Sequence, residues 1–246
     1  MNSENQNPNW ESLLVQYGLG AFETMRCVDG KIALSPYHIE RISRVAFDWG
    51  KEKSEIEKAF TKALVNLPLE LSRVKLLLGL NEGNELLTHL YVYPLKIETK
   101  GRKLLLRKCQ NKKSENYKSC NYASHYLEKK KANISGYDDV CYEHDGQLFE
   151  CSSSALVFLN KTEGIVAEGE NLRSVSVSKL LDKKNSFWKK GKISLDTLMT
   201  SGALCVSNAL HGLVPVESIH DERGEVIYES TCSIDLKKWN NFIFNE

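Results

Sequence analysis

The alternation of hydrophobic and polar residues predicts a first half built from a hairpin, two helices and further strands. Residues 13–29 alternate with a period of two and lead through an Asp-Gly turn into a short second strand, which is typical of a β-hairpin. A helix is expected from Ser35, with proline at its first position, to about Trp49, and a second helix from Ser54. Further strands are expected at 73–79, 86–94 and 103–107.

The second half is expected to mix short strands and helices in another order. Residues 110–116 are polar and contain no apolar side chain, which indicates a linker. After it, helices are expected at 122–133, 176–181 and near 239, and strands at 140–143, 147–150, 155–159, 198–201, 205–206 and 214–219. Because the strands come in hairpins without regular strand-helix-strand alternation, we predict an α+β fold with mostly antiparallel or mixed sheets and flanking helices. The predicted division is an N-terminal domain at 1–109, a linker at 110–117 and a C-terminal domain at 118–246.

Composition places the chain among soluble globular proteins. Of 246 residues, 41% are hydrophobic, and 33 basic residues nearly balance 32 acidic ones, so nucleic acid is not an expected partner. No window is apolar enough to span a bilayer, so no membrane is expected, and the polar residues 1–10 are expected to be a disordered tail. Seven cysteines without a CxxC spacing indicate reduced thiols in a cytoplasmic protein and no metal site.

Lys118, Tyr122 and Glu150 carry the groups required by an aldehyde cofactor with a basic ring nitrogen. A lysine amine can bond to the aldehyde, a phenol can hydrogen-bond a ring oxygen, and a carboxylate can keep the ring nitrogen protonated. Taken singly, each residue has an ordinary explanation: a solvated lysine, a core tyrosine and an outward carboxylate on an alternating strand. Their interpretation therefore depends on the motifs around them.

Three polar segments are candidate anion sites. Arg41 lies at the edge of a helical apolar stripe, where a guanidinium can bind a buried anion bidentately or lie on the surface over its own stem. Residues 174–176 precede a helix whose first N–H groups could bind phosphate, although an ordinary serine N-cap has the same pattern. Residues 207–209 form a second small polar loop after a predicted buried strand.

Five motifs in one order give the chain a resemblance to the class IV aminotransferase family, the fold-type-IV pyridoxal-phosphate enzymes. YGLGAFETMR at 17–26 is similar to the family's YGDGxFETxR strand, and YHIERI at 37–42 to its HxxRL helix. KSCNY at 118–122 resembles KxxNY, and residues 139–154 resemble DEALLLDxDGxVTEGSSSN. VSNALHGLVPV at 206–216 is similar to TNALxGVxPV.

The resemblance implies pyridoxal 5'-phosphate as the cofactor and a two-domain fold like that of D-amino-acid aminotransferase, with the cofactor in a barrel-like C-terminal domain. Lys118 then bonds the cofactor, Tyr122 contacts its ring hydroxyl and Glu150 its ring nitrogen. Arg41 is the expected phosphate-binding arginine. The other expected cofactor contacts are Ser174, Val175, Ser176, Asn208 and Ala209. A homodimer and a small, amino-acid-like substrate are also implied.

For the reaction, the resemblance favours 4-amino-4-deoxychorismate lyase, which releases pyruvate and leaves 4-aminobenzoate for folate synthesis. Lys118 would be the catalytic base, and Thr24 supplies the hydroxyl that the lyase is expected to turn towards its substrate. The expected substrate contacts are Tyr17, Phe22, Arg26 and Lys75. An aminotransferase of branched-chain or D-amino acids and a non-catalytic member of the family are the alternatives.

Two segments depart from the family pattern. The LPGITR turn before the phosphate-binding helix reads LRSVSV at 172–177, without its proline, its glycine and its final arginine, although Arg173 could compensate. The turn rich in glycine and arginine that often follows the substrate strand reads GLNEG at 79–83. Lys75 and Arg26 are therefore the remaining candidates for binding a substrate carboxylate.

Overall fold

A computed structural model describes residues 13–109, 117–169, 172–182, 186–231 and 234–244. The chain divides into two compact units. Unit 1 comprises Met1–Leu95 and Asn116–Ala123, and unit 2 comprises Lys96–Glu115 and Ser124–Glu246. The predicted tail at 1–10 and the predicted linker stretch at 110–116 lie outside the described residues.

Unit 1 is an antiparallel sheet with helices. Its elements are α1 (Leu13–Tyr17), β1 (Gly20–Val28), β2 (Lys31–Ile32), α2 (Ser35–Ile42), α3 (Val45–Asp48), α4 (Lys53–Ala63), β3 (Ser72–Leu80) and β4 (Leu86–Pro94). The strand order is β2-β1-β3-β4. Alternate residues of β1 and β3 enter the core with the apolar sides of α2, α3 and α4. These buried strand residues are Ala21, Met25, Cys27, Val74, Leu76 and Leu78.

Unit 2 contains the larger sheet. Its elements are β5 (Arg102–Lys108), α5 (Ala123–Ile134), β6 (Asp139–His144), β7 (Gln147–Cys151), β8 (Ala155–Leu159), β9 (Gly164–Ala167), α6 (Val175–Leu180), β10 (Trp188–Gly191), β11 (Ile193–Ser194), α7 (Leu195–Leu198), β12 (Ala203–Asn208), β13 (Gly212–His220), β14 (Val226–Glu229) and α8 (Lys237–Phe244). The first residue of α5 is assigned to unit 1.

Strand pairing in unit 2 closes part of the sheet on itself. In the described part of the chain the order is β10-β9-β8-β12-β13-β5-β6-β7-β11, with β14 on β13. Because β7 also pairs with β8, at Glu150 and Ala155, the six strands from β8 through β12, β13, β5 and β6 to β7 form a ring. The core of this unit lies among these strands, at residues such as Leu104, Leu156 and Val214.

The boundary between the units differs from the predicted one at 109/110. Strand β5 pairs in parallel with β6 and β13, so it belongs to unit 2. Residues 117–123, predicted to lie in the linker and the C-terminal domain, belong instead to unit 1. The physical reason is strand pairing over long sequence separations, which local hydrophobic periodicity does not report.

Several local elements also differ from expectation. Residues 13–17 form α1 rather than the start of the first strand, and Gly18, with a φ of 67°, separates the two elements. The predicted helix over 35–49 is two helices, α2 and α3, and its N-cap is Leu34 rather than Ser35. The predicted strand at 198–201 is wrong, because Leu198 is the last residue of α7, which reciprocal bonds between Ser194 and Thr197 cap at its start, and 199–201 turn the chain towards β12.

No helix within the described ranges combines the length and the apolar character that crossing a bilayer requires. The other predicted helices and the strands at 73–79, 86–94 and 103–107 are present as α4, α5, α6, α8, β3, β4 and β5.

Candidate active site

The segment that carries Lys118 lies along the edge of strand β1. The Phe22 N–H donates to the Lys118 carbonyl at 2.8 Å, and the Cys120 N–H donates to the Gly20 carbonyl at 2.8 Å. Between them, Ala21 and Ser119 form an antiparallel bridge. Hydrogen bonds of the β type therefore fix the backbone from the Lys118 carbonyl to Cys120, on both sides of Ser119.

Two glycines leave room for this segment. A Cβ on Gly18 would lie 2.2 Å from the Asn121 amide oxygen, and Gly18 also has the left-handed φ of 67°. A Cβ on Gly20 would lie 3.1 Å from the Cys120 sulfur and closer still to the Leu14 side chain. The close approach of the lysine segment accounts for the space at Gly18, whereas the space at Gly20 is limited first by Leu14 of α1 and then by Cys120.

The Lys118 amine lies among aromatic rings. Its Nζ is 4.7 Å from the centre of the Phe22 ring and 5.3 Å from the centre of the Tyr122 ring. The two rings meet edge to face, with centres 5.4 Å apart. The Lys75 Nζ is also 4.7 Å from the Phe22 ring centre, so the amines of Lys118 and Lys75, both predicted site residues, lie near the same ring. The structure therefore brings together Lys118, Tyr122, Phe22 and Lys75.

Strand register adds Thr24 and Arg26 to the same face. Thr24 lies directly opposite Lys75, and Arg26 lies directly opposite Arg73, in the β1–β3 pair. Because side chains alternate along a strand, Phe22, Thr24 and Arg26 point to one face. Burial lowers the pKa of the Arg26 guanidinium.

Tyr17 lies at the end of α1 with its side chain 72% exposed. The structure of unit 1 leaves this predicted substrate contact on the surface.

Arg41 lies in a buried ion-pair network on the other face of β1. Its Nε and Nη2 donate to the two carboxylate oxygens of Glu23 at 2.7 and 2.5 Å. His38, one turn earlier on α2, donates through Nδ1 to Glu23 Oε2 at 2.6 Å. Glu23 and His38 are fully buried and Arg41 is 8% exposed. The alternative of a surface arginine is therefore wrong.

The network sets the charge of its members. Burial by itself raises the pKa of the Glu23 carboxyl, but the attraction of Arg41 and His38 outweighs it and holds the pKa at about 2. Burial lowers the pKa of His38 despite Glu23, and the cations Arg41 and Lys118 act in the same direction. Within the described residues, His38 Nε2 is buried and has no hydrogen-bond partner.

Glu150, in unit 2, lies near the end of β7 opposite Tyr142 and Ala155. Its side chain is half-buried. The tight turn that follows is closed by the Cys151 N–H, which donates to the Ser154 carbonyl at 2.7 Å. Glu150 is thus presented from a paired strand beside a short turn.

The turn after Glu150 is held by a buried carboxylate, Asp139. The Ser152 and Ser153 hydroxyls both donate to it, the latter at 2.6 Å. Lys129 Nζ lies 3.6 Å and an Arg102 nitrogen 3.9 Å from Asp139 Oδ2. Asp139 is fully buried, and these cations and hydroxyls compensate its charge.

The two predicted phosphate segments of unit 2 are joined by hydroxyl groups. The Ser176 hydroxyl lies 2.9 Å from that of Ser207, and 3.0 Å from that of Ser174. Asn208 donates through Nδ2 to the Ser154 hydroxyl at 3.2 Å, which connects this loop to the turn after Glu150. Ala209 follows in the half-buried loop before β13.

The start of α6 is not an ordinary serine cap. Ser174 is the N-cap residue, but its hydroxyl accepts no hydrogen bond from the backbone of the helix. Val175, the first residue of the helix, is buried. Arg173, considered as a replacement for the arginine missing from the family turn, is exposed and donates through Nε to the Ser178 hydroxyl at 3.1 Å.

Sequence reasoning assigned no role to Glu23, His38 or Asp139, whereas Ser207 was part of the candidate anion loop at 207–209. A signal for Glu23 was present, because it occupies a core position in the alternation between Ala21 and Met25. A carboxylate at a core position of a strand requires a buried hydrogen-bonding or charged partner. Helix α2 supplies a histidine and an arginine three residues apart. No local pattern marks Asp139 as buried in this way.

The family profile described as "Amino-transferase class IV" matches residues 20–219. The chain belongs to the class IV aminotransferase family. The match covers β1 through β13 and confirms the resemblance drawn from the five motifs. A comparison with curated proteins found no match.

Solved structures of class IV aminotransferases share the fold at low identity. A hypothetical aminotransferase from Mycobacterium tuberculosis, in its PLP-bound form, has a TM-score of 0.75 at 14% identity over 99% of this chain and 94% of that one. A protein titled a 4-amino-4-deoxychorismate lyase, from Legionella pneumophila, has 0.74 at 16%, over 97% and 95%. The branched-chain aminotransferase of Escherichia coli has 0.72 at 16%, over 95% and 86%. These likenesses confirm the predicted fold class.

The donor set fits the cofactor of this family, pyridoxal phosphate. Unit 1 carries an amine and a phenol on one anchored segment, and unit 2 carries a carboxylate beside a group of hydroxyl and amide donors. In the described ranges, His, Cys, Asp and Glu side chains form no cluster suited to a metal ion.

Proposed function

We propose that this protein is a pyridoxal-phosphate-dependent lyase that releases pyruvate from 4-amino-4-deoxychorismate and leaves 4-aminobenzoate. One observation carries the proposal. The Lys118 amine is anchored on β1 between the Phe22 and Tyr122 rings, on the face that also bears Thr24 and Lys75. In this position the Lys118 amine is accompanied by the Tyr122 phenol, the Thr24 hydroxyl and the Lys75 cation, the groups that this reaction uses.

When bound, pyridoxal phosphate takes up the electrons released at the substrate α-carbon. Lys118 Nζ would hold the cofactor through its aldehyde and, as a free amine, would take the proton from the substrate α-carbon. The Tyr122 phenol binds the ring oxygen, and Glu150 keeps a proton on the ring nitrogen. The segments at 174–176 and 208–209 bind the phosphate. The family resemblance gives the same role to Arg41, whose Nε and Nη2 are bonded to Glu23 on the other face of β1.

The substrate side of the proposal rests on the cations beside Phe22. Lys75 and Arg26 bind the carboxylates of the substrate, since both are on the Phe22 face and burial favours pairing of the Arg26 charge. Thr24, opposite Lys75, donates a proton to the oxygen of the leaving pyruvate. Phe22 packs against the substrate. Tyr17 contacts the substrate from the exposed edge of the site.

The second candidate is an aminotransferase acting on branched-chain or D-amino acids. It is supported by the similarity in fold to aminotransferases of M. tuberculosis and E. coli, which is as high as that to the lyase. The same lysine, tyrosine and carboxylate serve both reactions. They differ in whether a keto acid is needed to complete the cycle.

The deciding experiment is the release of 4-aminobenzoate from 4-amino-4-deoxychorismate with no keto acid present. Wild-type protein, Lys118→Ala and the control Lys31→Ala, an exposed lysine on β2, are compared after addition of pyridoxal phosphate. We expect product with wild type and Lys31→Ala and none with Lys118→Ala. Turnover only with an amino-acid and keto-acid pair would establish the aminotransferase. Absence of the visible absorption of a lysine-bound cofactor in wild type would indicate a non-catalytic member of the family.

The homodimer, the cytoplasmic location and the link to folate synthesis stay predictions of the sequence. Size-exclusion chromatography with light scattering would test the first.

A further inference from the structure

The C-terminal helix α8 lies beyond residues 20–219, the part of the chain that matches the family. Its buried side carries Trp239 and Ile243. The Trp239 ring packs on Phe187 and Trp188, with centres 4.6 and 5.2 Å apart, while Lys179 of α6 lies 5.6 Å from the Phe242 ring centre. The helix is therefore docked on unit 2 by its own aromatic contacts.

Asn240, on α8, binds both backbone groups of Leu213. Its Oδ1 accepts from the Leu213 N–H at 2.7 Å, and its Nδ2 donates to the Leu213 carbonyl at 3.0 Å. Leu213 pairs with Ser207 of β12 on one side, whereas the pairing of β13 with β5 begins only at Val216. The Asn240 side-chain amide therefore makes the two hydrogen bonds that a neighbouring strand would make with Leu213, in the part of β13 that extends past β5.

The turn before Leu213 is shaped to accept this amide. Gly212 has a φ of 71°, and a Cβ there would lie 2.4 Å from Asn240 Oδ1. A side chain at position 212 would thus both strain the backbone and push the asparagine away. The contact between α8 and the turn is a close fit of backbone against amide.

Asn208 and His211 fix the rest of the turn. The Asn208 side-chain oxygen accepts from the N–H groups of Leu210 and His211, both at 3.0 Å. The Glu98 N–H donates to His211 Nδ1 at 3.2 Å. Asn240 thus holds the Leu213 end of this turn, and the Asn208 side chain holds the other end.

We propose that Asn240 is a positioning residue for the cofactor phosphate: it holds the 208–213 turn in the geometry in which Asn208 and Ala209 bind that group. The inference rests on the proposed function, which gives these two residues their role. It assigns to α8 the task of keeping a binding loop rigid without touching the cofactor.

The test separates the phosphate from the rest of the cofactor. Dissociation constants are measured for pyridoxal phosphate and for pyridoxal, which has the same aldehyde and ring but no phosphate. The variants are Asn240→Ala, Asn240→Asp and the matched control Asn241→Ala, which removes the exposed asparagine next to it on the same helix. Hydrogen exchange at Leu213 is followed in the absence of either compound.

We expect Asn240→Ala to bind pyridoxal phosphate about tenfold more weakly, because two ordinary hydrogen bonds position the loop, while pyridoxal binding changes less than about twofold. Leu213 should exchange faster in this variant. Asn240→Asp keeps only the acceptor and should be intermediate, which preserves the test if the alanine variant does not fold. Asn241→Ala should match wild type.

An equal loss of affinity for both compounds, or no loss for either, would overturn the inference and leave the proposed function intact. Failure of wild type to bind pyridoxal phosphate would instead overturn the proposed function, and the inference with it.

Discussion

Replacing Glu23 by glutamine should destabilise unit 1 by removing the charge that compensates Arg41. Glutamine keeps the shape of the side chain but leaves the guanidinium, 8% exposed, without its counter-ion. Loss of one partner of a buried ion pair costs about 3–5 kcal/mol. This is a large part of the stability of an ordinary domain, which is on the order of 5–15 kcal/mol.

The pH dependence gives an independent magnitude. The pKa of Glu23 is lowered from 4.5 to about 2 on folding, and each pKa unit corresponds to about 1.4 kcal/mol, so ionised Glu23 contributes about 3 kcal/mol. Because the folded pKa is depressed, this contribution is fully present above pH 4.5 and is lost as pH falls towards 2. Glu23→Gln should lack this part of the acid sensitivity of the wild type.

Urea unfolding, measured from pH 7 down to pH 2.5, tests both numbers, with hydrogen exchange of β1 and β3 to locate the loss in unit 1. The control is Glu40→Gln, on the same helix as Arg41, which breaks the exposed pair of Glu40 with Arg44 at the start of α3 and should cost no more than about 0.5 kcal/mol. The double change Glu23→Leu with Arg41→Met should recover much of the loss, because no buried charge is left unpaired. Equal costs for Glu23→Gln and Glu40→Gln, with parallel pH profiles, would refute the reasoning.

Three further substitutions have expected outcomes. Asp139→Asn removes the buried carboxylate that faces Lys129 and the hydroxyls of the turn, while Arg102 keeps its pair with Glu98, so the change should cost about 1–3 kcal/mol in thermal or urea unfolding. Its exposed neighbour Asp138→Asn should cost less than about 1 kcal/mol, and similar values would contradict this account. Gly20→Ala places a Cβ 3.1 Å from the Cys120 sulfur and should lower the free energy of unfolding by about 1–3 kcal/mol. Hydrogen exchange at the Cys120 amide should become faster, and unchanged exchange there would show that the segment carrying Lys118 does not move. Lys75→Gln should raise the KM for an anionic substrate about tenfold or more with a smaller change in kcat, as steady-state kinetics would show, and an unchanged KM would remove Lys75 from the substrate site.

The family and most of its cofactor motifs could be predicted because they are local in sequence. KSCNY at 118–122 and the strand at 17–26 carry their chemistry within a few residues, and the profile match confirms the assignment. The predicted helices at 54 onwards and 122–133 are likewise present, since the side chains that define them recur at helical spacing within one segment.

Long-range pairing was beyond local reasoning. The strand pairs that place β5 in unit 2 and residues 117–123 in unit 1 join parts of the chain far apart in sequence. The strand at 198–201 was wrong for another reason: the apolar pair Leu198 and Met199 fits a buried strand, but Leu198 ends α7 and Met199 is exposed.

The sequence by itself determined the family and the fold class, because both are carried by residue types at short, fixed spacings, and it predicts Lys118 as the reactive amine. Tertiary structure decided what surrounds them. It placed the Lys75 and Lys118 amines over one ring, paired Arg41 with Glu23 and His38, and set Asn240 against Leu213. These contacts join residues distant along the chain, and their energies come from burial and hydrogen-bond geometry, which exist only once the chain has folded.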